Sequence, residues 1–441
     1  MKKILHTIKN ILKKISPEFL LVSFHYCKAV LASLYYGMPS KKLFVIGITG
    51  TKGKTTTANF IWSVLTGAGY KTGQLGTASL RLGNEEKLNN FHMTMPSPFK
   101  IQKMLKQMLD SGCTHVVLEA TSEGMKLYRH VGIIFDGAIF TNLTPEHLPS
   151  HGGSFEKYKK VKTRLFRSLK HHDKTLNGKK IPSLSIVNAD SPHAEYYSQF
   201  FANKKLSFGL AKGADLVAEN IRDTVSGVDF DVNNQTYHLS ILGKFNVYNA
   251  LAAIALGQAL NIPKEKISEG LANLKVIAGR MEQIYEGQNF TVIVDYAHEK
   301  ISMNALLDTA KTIAGVHKVI VLLGAEGGGR DKSKRPAMGE AAGKKADFVI
   351  CSNVDPYSDD PTPIVEDIAK ASEQFGKVRE KNLFVIEDRR LGIRKALQLA
   401  TEGDIVLITG KGAEQTMLIG GKSISWDDRK IVREELIRIK K

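Results

Sequence analysis

Cysteine is scarce in this chain of 441 residues: only Cys27, Cys113 and Cys351 occur, and they lie far apart. Three scattered thiols exclude a disulfide framework and a cysteine-based zinc site. Cys351 ends an apolar run, which predicts a thiol in the core. Such sparse use of cysteine is typical of a reducing compartment, and we expect the protein in the cytoplasm.

Long uninterrupted apolar runs are also missing. A helix that spans a membrane needs about 20 nearly uncharged residues, whereas Glu18, His25 and Lys28 interrupt the apolar stretch 17–37. The stretch is followed by no Ala-x-Ala-type cleavage site, which argues against a secretory signal peptide. The sequence contains no recognised module for binding RNA or DNA, so we expect no nucleic-acid partner.

Positive charge, by contrast, is in excess. Lys and Arg number 62 and Asp and Glu 44, which gives a formal net charge of +18. This surplus favours anionic partners such as nucleotides, phosphorylated substrates or an anionic membrane face.

The excess begins in the first 42 residues, which hold eight lysines and a single acid, Glu18. Within residues 1–15 apolar side chains recur at helical spacing, with lysines on the other face. Two interpretations of this basic helical arm stay open. Residues 1–40 form a peripheral contact with the inner membrane face, or the arm packs on the body of the protein.

From residue 42 onward, short β-rich runs alternate with helical stretches, as is typical of a parallel α/β sheet. The predicted strands are 43–49, 115–119, 133–141, 184–188, 291–295, 318–323, 347–352, 383–386 and 404–409, and the clearest predicted helices are 154–169 and 246–260. Residues 206–242 alternate with polar residues and predict a small antiparallel insert.

We therefore predict an α/β protein in three parts. A short basic helical arm (1–42) precedes a P-loop-containing parallel-sheet central domain (43–277), and a Rossmann-like C-terminal domain (278–441) follows.

The strongest local signal is a glycine-rich loop between a predicted strand and a predicted helix, Gly50-Thr51-Lys52-Gly53-Lys54-Thr55-Thr56. Glycine lets backbone N–H groups wrap a phosphate closely. Lys54 supplies charge for the β- and γ-phosphates, the Thr55 hydroxyl can ligate Mg²⁺, and the helix N-terminus adds partial positive charge. Ile48 replaces the usual first glycine of this pattern. The position of the loop between a strand and a helix still predicts a site for a nucleoside triphosphate.

Candidate metal-binding residues follow the next strands. Glu119 ends the predicted strand 115–119, where strand-end acids often meet Mg²⁺ beside a phosphate loop, and Ser122 follows it. His147 and Lys162 come later, and their spacing leaves two interpretations open. A single His is more often structural than a ligand, and a Lys on a basic helix is usually solvated.

Taken together, these segments resemble the ATP-dependent Mur ligase family, which builds the peptide of bacterial peptidoglycan. The resemblance covers about residues 43–441 and is greatest to the branch that adds the third amino acid. It rests on the shared order of motifs at 50–57, 93–96, 119–122, 141–147 with 151, 162, 243–250, 279–282, 295–298, 329–332, 334–336, 359–361 and 410–414.

The resemblance implies a role for each candidate residue. The residues that would bind ATP are Gly50, Thr51, Lys52, Gly53, Lys54, Thr55, Thr56, Asn246, Asn249, Arg280 and Asp295. Two Mg²⁺ ions would be held by Thr55, Glu119, His147 and Lys162, the last of these carbamylated by CO₂. Catalysis would depend on Lys54, Lys162, His147 and Arg280. The substrates would contact Thr94, Ser122, His298, Asp355, Asp359, Lys411 and Glu414.

The implied reaction is ATP-dependent amide formation. The carboxylate of a UDP-muramoyl-dipeptide-like acceptor attacks the γ-phosphate of ATP, an acyl phosphate forms, and the amine of a free diamino acid displaces phosphate. Two alternatives stay open. One is another amide ligase of the same superfamily, such as a folylpolyglutamate synthetase, and the other is a non-catalytic nucleotide-binding protein.

Two features depart from the family pattern. Only residues 1–42 precede the predicted central domain, so we expect the family's uridine-binding front domain to be missing, and whether the acceptor carries UDP stays open. Tyr357 stands where members that add diaminopimelate carry Arg, and Ala413 where His is common. Losing a guanidinium removes a bidentate partner for a carboxylate.

The segment around Tyr357 is also acidic, with Asp355, Asp359 and Asp360 close in sequence. These acids would suit an ammonium group. We therefore hypothesise that the amino acid added is lysine or another cationic diamino acid, with diaminopimelate as the alternative.

Overall fold

The computed structural model describes residues 18–89, 93–146, 148–224 and 226–439. The chain divides into two compact units, one comprising Met1–Val217 and Tyr248–Gly270 and the other Ala218–Val247 and Leu271–Lys441. Residues 1–15, for which the sequence predicts an amphipathic helix, lie outside the described residues. The domain boundaries at residues 42 and 277 stay predictions.

The first unit is built on a nine-stranded sheet. Its strands, together with the separate hairpin β7–β8, are β1 (Phe44–Thr49), β2 (Thr72–Leu75), β3 (Ser79–Leu82), β4 (Glu85–Leu88), β5 (His115–Glu119), β6 (Gly137–Phe140), β7 (Lys174–Leu176), β8 (Lys179–Ile181), β9 (Leu184–Asn188), β10 (Lys204–Gly209) and β11 (Leu216–Val217). The strand order is β11-β10-β9-β6-β1-β5-β2-β3-β4. All pairs from β11 to β2 are parallel, and β3 and β4 join antiparallel at one edge.

Helices cover this sheet, as a parallel sheet buried on both faces requires. They are α1 (Glu18–Tyr35), α2 (Lys54–Gly67), α3 (Pro98–Asp110), α4 (Ser122–Lys126), α5 (Phe155–Lys162), α6 (Arg164–Arg167), α7 (Ala194–Ser198), α8 (Phe245–Ala259) and α9 (Lys264–Asn273). The division between the units falls within α8 and α9. Every residue of β1 is buried, so the sheet core lies at this central strand.

The second unit contains a three-stranded antiparallel sheet, a six-stranded sheet and a hairpin. The strands are β12 (Glu219–Thr224), β13 (Gly227–Val232), β14 (Gln235–Leu239), β15 (Glu282–Ile284), β16 (Thr291–Asp295), β17 (Val319–Leu323), β18 (Phe348–Cys351), β19 (Leu383–Val385), β20 (Ile405–Thr409), β21 (Thr416–Ile419) and β22 (Lys422–Ser425). The order of the six-stranded sheet is β15-β16-β20-β17-β18-β19, and only β15 is antiparallel to its neighbour. Its helices are α10 (Lys300–Ala314), α11 (Lys334–Lys345), α12 (Pro361–Glu373), α13 (Arg389–Leu399) and α14 (Asp428–Ile439).

The predicted α/β class, with a parallel sheet in the central region and a Rossmann-like sheet after it, is confirmed. Two details differ. The predicted insert 206–242 begins inside β10, which joins the large parallel sheet beside β9. The predicted helix 154–169 is observed as α5, α6 and a 3₁₀ turn, Ser168–His171. Among the described residues, no helix combines the length and the apolar character that crossing a membrane requires.

Candidate active site

Four neighbouring parallel strands of the first unit end at one edge of the sheet, which brings distant residues together. In the order β6-β1-β5-β2, these strands lead into residues 141–146, the loop 50–53, Glu119 and Thr77. Ligands of open α/β sheets bind at the carboxyl ends of the strands. The predicted phosphate loop, Glu119 and the segment after β6 therefore share one location because of the strand order.

The loop approaches its neighbours so closely that two of its glycines have no room for a side chain. Gly50 has φ +154°, and a Cβ there would lie 1.9 Å from Thr141 Oγ1. Gly53 has φ +81°, and a Cβ there would lie 2.3 Å from Asn249 Oδ1. Ile48, which replaces the usual first glycine, is a buried residue of β1 in register with Glu119.

The segment after β6 holds the loop in this conformation. Asn142 accepts from the backbone N–H of Thr51 (2.9 Å) with its carbonyl and from that of Lys52 (2.8 Å) with its side chain. Thr141 Oγ1 donates to the Lys52 carbonyl at 2.6 Å, and Lys52 Nζ pairs with Glu146 Oε1 at 3.0 Å. The conformation of the loop is therefore fixed by the protein itself.

The amino groups of two lysines converge on the same carbonyl of this loop. Lys54 Nζ donates to the carbonyls of Gly50 and Thr51, both at 2.9 Å, and Lys162 Nζ donates to Gly50 at 2.7 Å. Lys162, the last residue of α5, is 1% exposed. Burial and the adjacent charge of Lys54 lower the pKa of Lys162 well below its ordinary value of 10.5. The arrangement attracts an anion and favours the neutral amine of Lys162.

Glu119 and Thr55 form the oxygen-rich part of the site. The Glu119 side chain, on a fully buried residue, accepts from Thr55 Oγ1 at 3.0 Å and from Thr77 N and Oγ1 at 2.8 and 2.9 Å. Mg²⁺ prefers carboxylate and hydroxyl oxygens with several retained waters, so this pair beside the loop fits that ion. In the described part of the chain, no three His, Cys, Asp or Glu side chains form a metal cluster. His147 lies outside the described residues.

Thr77 is a site residue that the sequence analysis missed. It follows β2 and links the two candidate residues Glu119 and Thr94, because its hydroxyl also lies 2.8 Å from Thr94 Oγ1. Arg129 is another: its guanidinium donates to the carbonyl of Met95, next to Thr94. Ser122 is buried at the first position of α4. No motif pointed to Thr77 or Arg129, and only the fold places them beside the predicted residues.

The adenine candidates lie at the start of α8. Asn249 Oδ1 accepts from Thr57 Oγ1 at 3.1 Å, which ties α8 to the helix that follows the phosphate loop. Asn246 donates from Nδ2 to the Leu242 carbonyl at 2.7 Å. Thr56 is buried in the first turn of α2.

In the second unit, neighbouring strand ends gather a further set of candidates around Tyr296. Its ring lies 4.3 Å from the guanidinium carbon of Arg280 and 4.6 Å from the ring of His298, and its hydroxyl lies 3.2 Å from Glu414 Oε1. Asp295 accepts from the backbone N–H groups of Met281 and Ala297, both at 2.8 Å. Arg280, His298 and Glu414 are thus assembled within this unit by a tyrosine that the sequence analysis did not select individually.

Lys411 joins two of the predicted substrate-binding acids. Its Nζ lies 2.7 Å from Asp355 Oδ2 and 2.6 Å from Glu414 Oε2. Burial lowers the pKa of Lys411, but the two carboxylates outweigh burial and raise it. The ammonium form of Lys411 is therefore stable in this pocket.

The three acids proposed to attract an ammonium group hold their own loop. Asp355 Oδ1 accepts from Leu418 N at 2.7 Å, Asp359 Oδ2 from Gly328 N at 2.9 Å, and Asp360 Oδ1 from Thr362 N at 3.0 Å. These contacts weaken the argument that the acids select a cationic amino acid. Tyr357 has φ +59°, and its hydroxyl accepts from Arg330 Nη2 at 3.3 Å.

Two family models match the parts of the chain that contain most of the site residues of the first and the second unit. A family model described as Mur ligase middle domain matches residues 48–257, and one described as Mur ligase, glutamate ligase domain, matches residues 279–412. The chain is 37% identical over 422 residues to the UDP-N-acetylmuramoyl-L-alanyl-D-glutamate--2,6-diaminopimelate ligase of Geobacillus kaustophilus, which covers 95% of this chain and 83% of that protein.

Solved structures extend the comparison. A ligase of the same name aligns with a TM-score of 0.61 and 28% identity over 90% of this chain and 79% of the other. A folylpolyglutamate synthase of Mycobacterium tuberculosis aligns with a TM-score of 0.65 over 92% of this chain and 95% of the other, but at 18% identity this likeness shows a common fold only. The sequence identity, maintained over nearly the whole chain, decides the relationship: the chain belongs to the Mur ligase family.

Proposed function

We propose that the protein is an ATP-dependent ligase that joins a free diamino acid to the carboxylate of a UDP-N-acetylmuramoyl-dipeptide or a closely similar acceptor. One observation carries the proposal: Lys54, Lys162, Thr55 and Glu119, from distant parts of the sequence, meet at the rigid loop 50–53. The relatives' names supply the substrates, and we place the reaction in the cytoplasm, where ATP is available.

The first step brings together two anions, the acceptor carboxylate and the γ-phosphate of ATP, so repulsion opposes it. Lys54 and the N–H groups at the start of α2 would offset this charge. Thr55 and Glu119 would hold Mg²⁺, which supplies further neutralisation of the transferring phosphoryl group when bound. Thr77 orients Glu119 through both of its carboxylate oxygens.

Lys162 would enter this site as a carbamate. Its buried position and its neighbour Lys54 favour the neutral amine, and only a neutral amine can add to CO₂. The nitrogen forms a bond to the CO₂ carbon and loses one of its own protons, which converts a neutral amine into an anionic carbamate. With His147, the carbamate would complete the ligands of a second Mg²⁺ ion.

We assign the incoming amino acid to the second unit, at the group formed by Tyr296, Lys411 and Glu414. Glu414 pairs with Lys411 and contacts the Tyr296 hydroxyl, but its side chain is 36% exposed and would present a carboxylate to an ammonium group there. Arg330, the guanidinium beside Tyr357, offers a partner for a carboxylate. Because both charges are present in this unit, lysine and diaminopimelate both stay candidates.

Mass spectrometry of reaction products tests the proposal. The protein is incubated with ATP, Mg²⁺, UDP-muramoyl-dipeptide and a mixture of amino acids that includes lysine and diaminopimelate. We expect one amide product, which Lys54→Ala abolishes and the matched variant of an exposed lysine, Lys160→Ala, retains.

Two results would contradict the proposal. ATP turnover without an amide product would favour a nucleotide-binding protein that does not ligate. Glutamate addition to a folate, with no muramoyl product, would favour the folylpolyglutamate synthetase alternative.

A further inference from the structure

Helix α1 carries an apolar stripe on the face that points away from the first unit. Its inner face is buried at Ala29, Ala32 and Ser33. The opposite face presents Phe24, Leu31, Leu34 and Tyr35, which are 61%, 60%, 56% and 75% exposed, and the exposed thiol of Cys27. These positions follow the helical repeat of three and four residues, so they form one continuous line.

Large exposed side chains in a row are costly in water and mark an interaction surface when they adjoin one another. The stripe contains no acid, and Lys28, which lies four residues after Phe24 and three before Leu31 and is half-buried, borders it. At the end of α1, the ring centroid of Tyr35 lies 4.9 Å from that of Tyr36 and 6.1 Å from that of Phe99 on α3. The last turn of α1 is therefore anchored to α3, and the stripe is presented on a fixed scaffold.

The charge of the segments near α1 in the sequence and on α3 indicates the kind of partner that suits the stripe. The chain before α1 contains Lys2, Lys3, Lys9, Lys13 and Lys14 and no acid, although its structure lies outside the described residues. Lys41 and Lys42 after α1, and Lys100 and Lys103 on α3, are exposed. Apolar side chains flanked by lysines match a bilayer interface with anionic headgroups. A second copy of the same face would bring like charges together.

We propose that α1 docks by this stripe, formed by Phe24, Cys27, Leu31, Leu34 and Tyr35, onto the surface of an anionic membrane. The aromatic and leucine side chains enter the headgroup region, and the flanking lysines face the lipid phosphates. The helix lies in the interface and does not cross the membrane. This contact would hold the ligase beside the membrane independently of its chemistry.

Flotation of the full chain with lipid vesicles tests the proposal. Vesicles of phosphatidylcholine alone are compared with vesicles that also contain phosphatidylglycerol, at low and high salt. We expect flotation only with phosphatidylglycerol, weakened by salt. In the variant Leu31→Asp/Leu34→Asp the bound fraction should fall by about tenfold or more, because two apolar side chains that would enter the headgroup region are lost.

A matched variant separates this docking from general attraction to a basic protein. Val316 and Val378 are apolar residues of the second unit, and they are 97% and 53% exposed. Val316→Asp/Val378→Asp changes the net charge by the same amount as Leu31→Asp/Leu34→Asp, and this variant should float like the parent. Both variants should keep the parent's melting temperature, since all four side chains are exposed.

Three outcomes would overturn the proposal. The parent does not float with anionic vesicles, or the two double variants float equally. In the third, the parent is a dimer in size-exclusion chromatography, and Leu31→Asp/Leu34→Asp dissociates it. That result would assign the stripe to a second copy of the chain.

Discussion

Replacing Gly53 by Ala should damage the phosphate loop more than its small size suggests. Two independent features of this position oppose a side chain. Its φ of +81° lies in the left-handed region, and the new Cβ would lie 2.3 Å from Asn249 Oδ1. That oxygen cannot move without loss, because it accepts from Thr57 Oγ1 at 3.1 Å.

The two effects can be given separate magnitudes. Left-handed backbone costs a residue with a Cβ about 1–2 kcal/mol relative to glycine. Displacing Asn249 adds about 1 kcal/mol for a lost hydrogen bond and about 1–3 kcal/mol for overpacking. Gly69→Ala is the matched control, because its φ is +89° but nothing lies within 4 Å of the new Cβ. Because the backbone cost is common to both variants, we expect Gly53→Ala to destabilise the first unit by about 2–4 kcal/mol more than Gly69→Ala.

Urea unfolding of both variants, followed by circular dichroism, measures this difference, and calorimetry measures ATP binding. Gly53→Ala should also weaken ATP binding, whereas Gly69→Ala should leave it unchanged. Adding Asn249→Ala to Gly53→Ala should recover part of the stability, because the obstructing oxygen is removed. Equal destabilisation by the two glycine variants would refute the close approach on which the description of the loop rests.

Further predictions concern charge. Glu119→Gln keeps the size of the side chain but removes the charge proposed to bind Mg²⁺, so amide formation should fall by about a hundredfold or more. Unchanged turnover would contradict the proposed role. The lowered pKa of Lys162 means that the unfolded chain binds more protons between that lowered value and pH 10.5, so stability rises with pH in that range. Lys162→Met should therefore raise the melting temperature at pH 7 in CO₂-free buffer, by an amount that shrinks towards pH 10.5, whereas Lys160→Met should not. Tyr357→Arg adds a guanidinium and should raise the ratio of kcat/KM for diaminopimelate over lysine by about tenfold or more, measured by ADP release.

The sequence predicted those parts of the fold that depend on local pattern. Runs such as Val116–Leu118 and Val292–Val294 are apolar at every position, as buried parallel strands require, and β5 and β16 begin and end where expected. The hairpin strands β3 and β4 were missed because β4 is short and polar: Glu85, Glu86 and Lys87 are all exposed at the sheet edge. Edge strands commonly carry charge, which hides them from apolar patterns.

The same distinction holds for the candidate site: residues in a contiguous motif could be predicted, and residues that meet only through the fold could not. Lys54 and Thr55 follow from a contiguous motif, whose spacing is itself the structural constraint. Thr77 could not be found in this way, because its contact with Glu119 depends on β2 and β5 being neighbours in the sheet. The hydrogen bonds that engage Asp355 and Asp359 were equally invisible, since their donors lie 63 and 31 residues away.

The position of Lys162 connects the stability of this site with its chemistry. An ammonium group that is 1% exposed and beside Lys54 opposes folding, and one backbone carbonyl, that of Gly50, accepts from both groups. A methionine of similar length would fill the same space without this penalty, so packing alone gives no reason for a lysine. The penalty disappears if an anion occupies the loop or if Lys162 becomes a carbamate, and both conditions belong to the proposed reaction. Lys162 is therefore unfavourable in the protein alone, and the substrates or CO₂ would compensate its charge. Its replacement should increase stability while it reduces ligase activity.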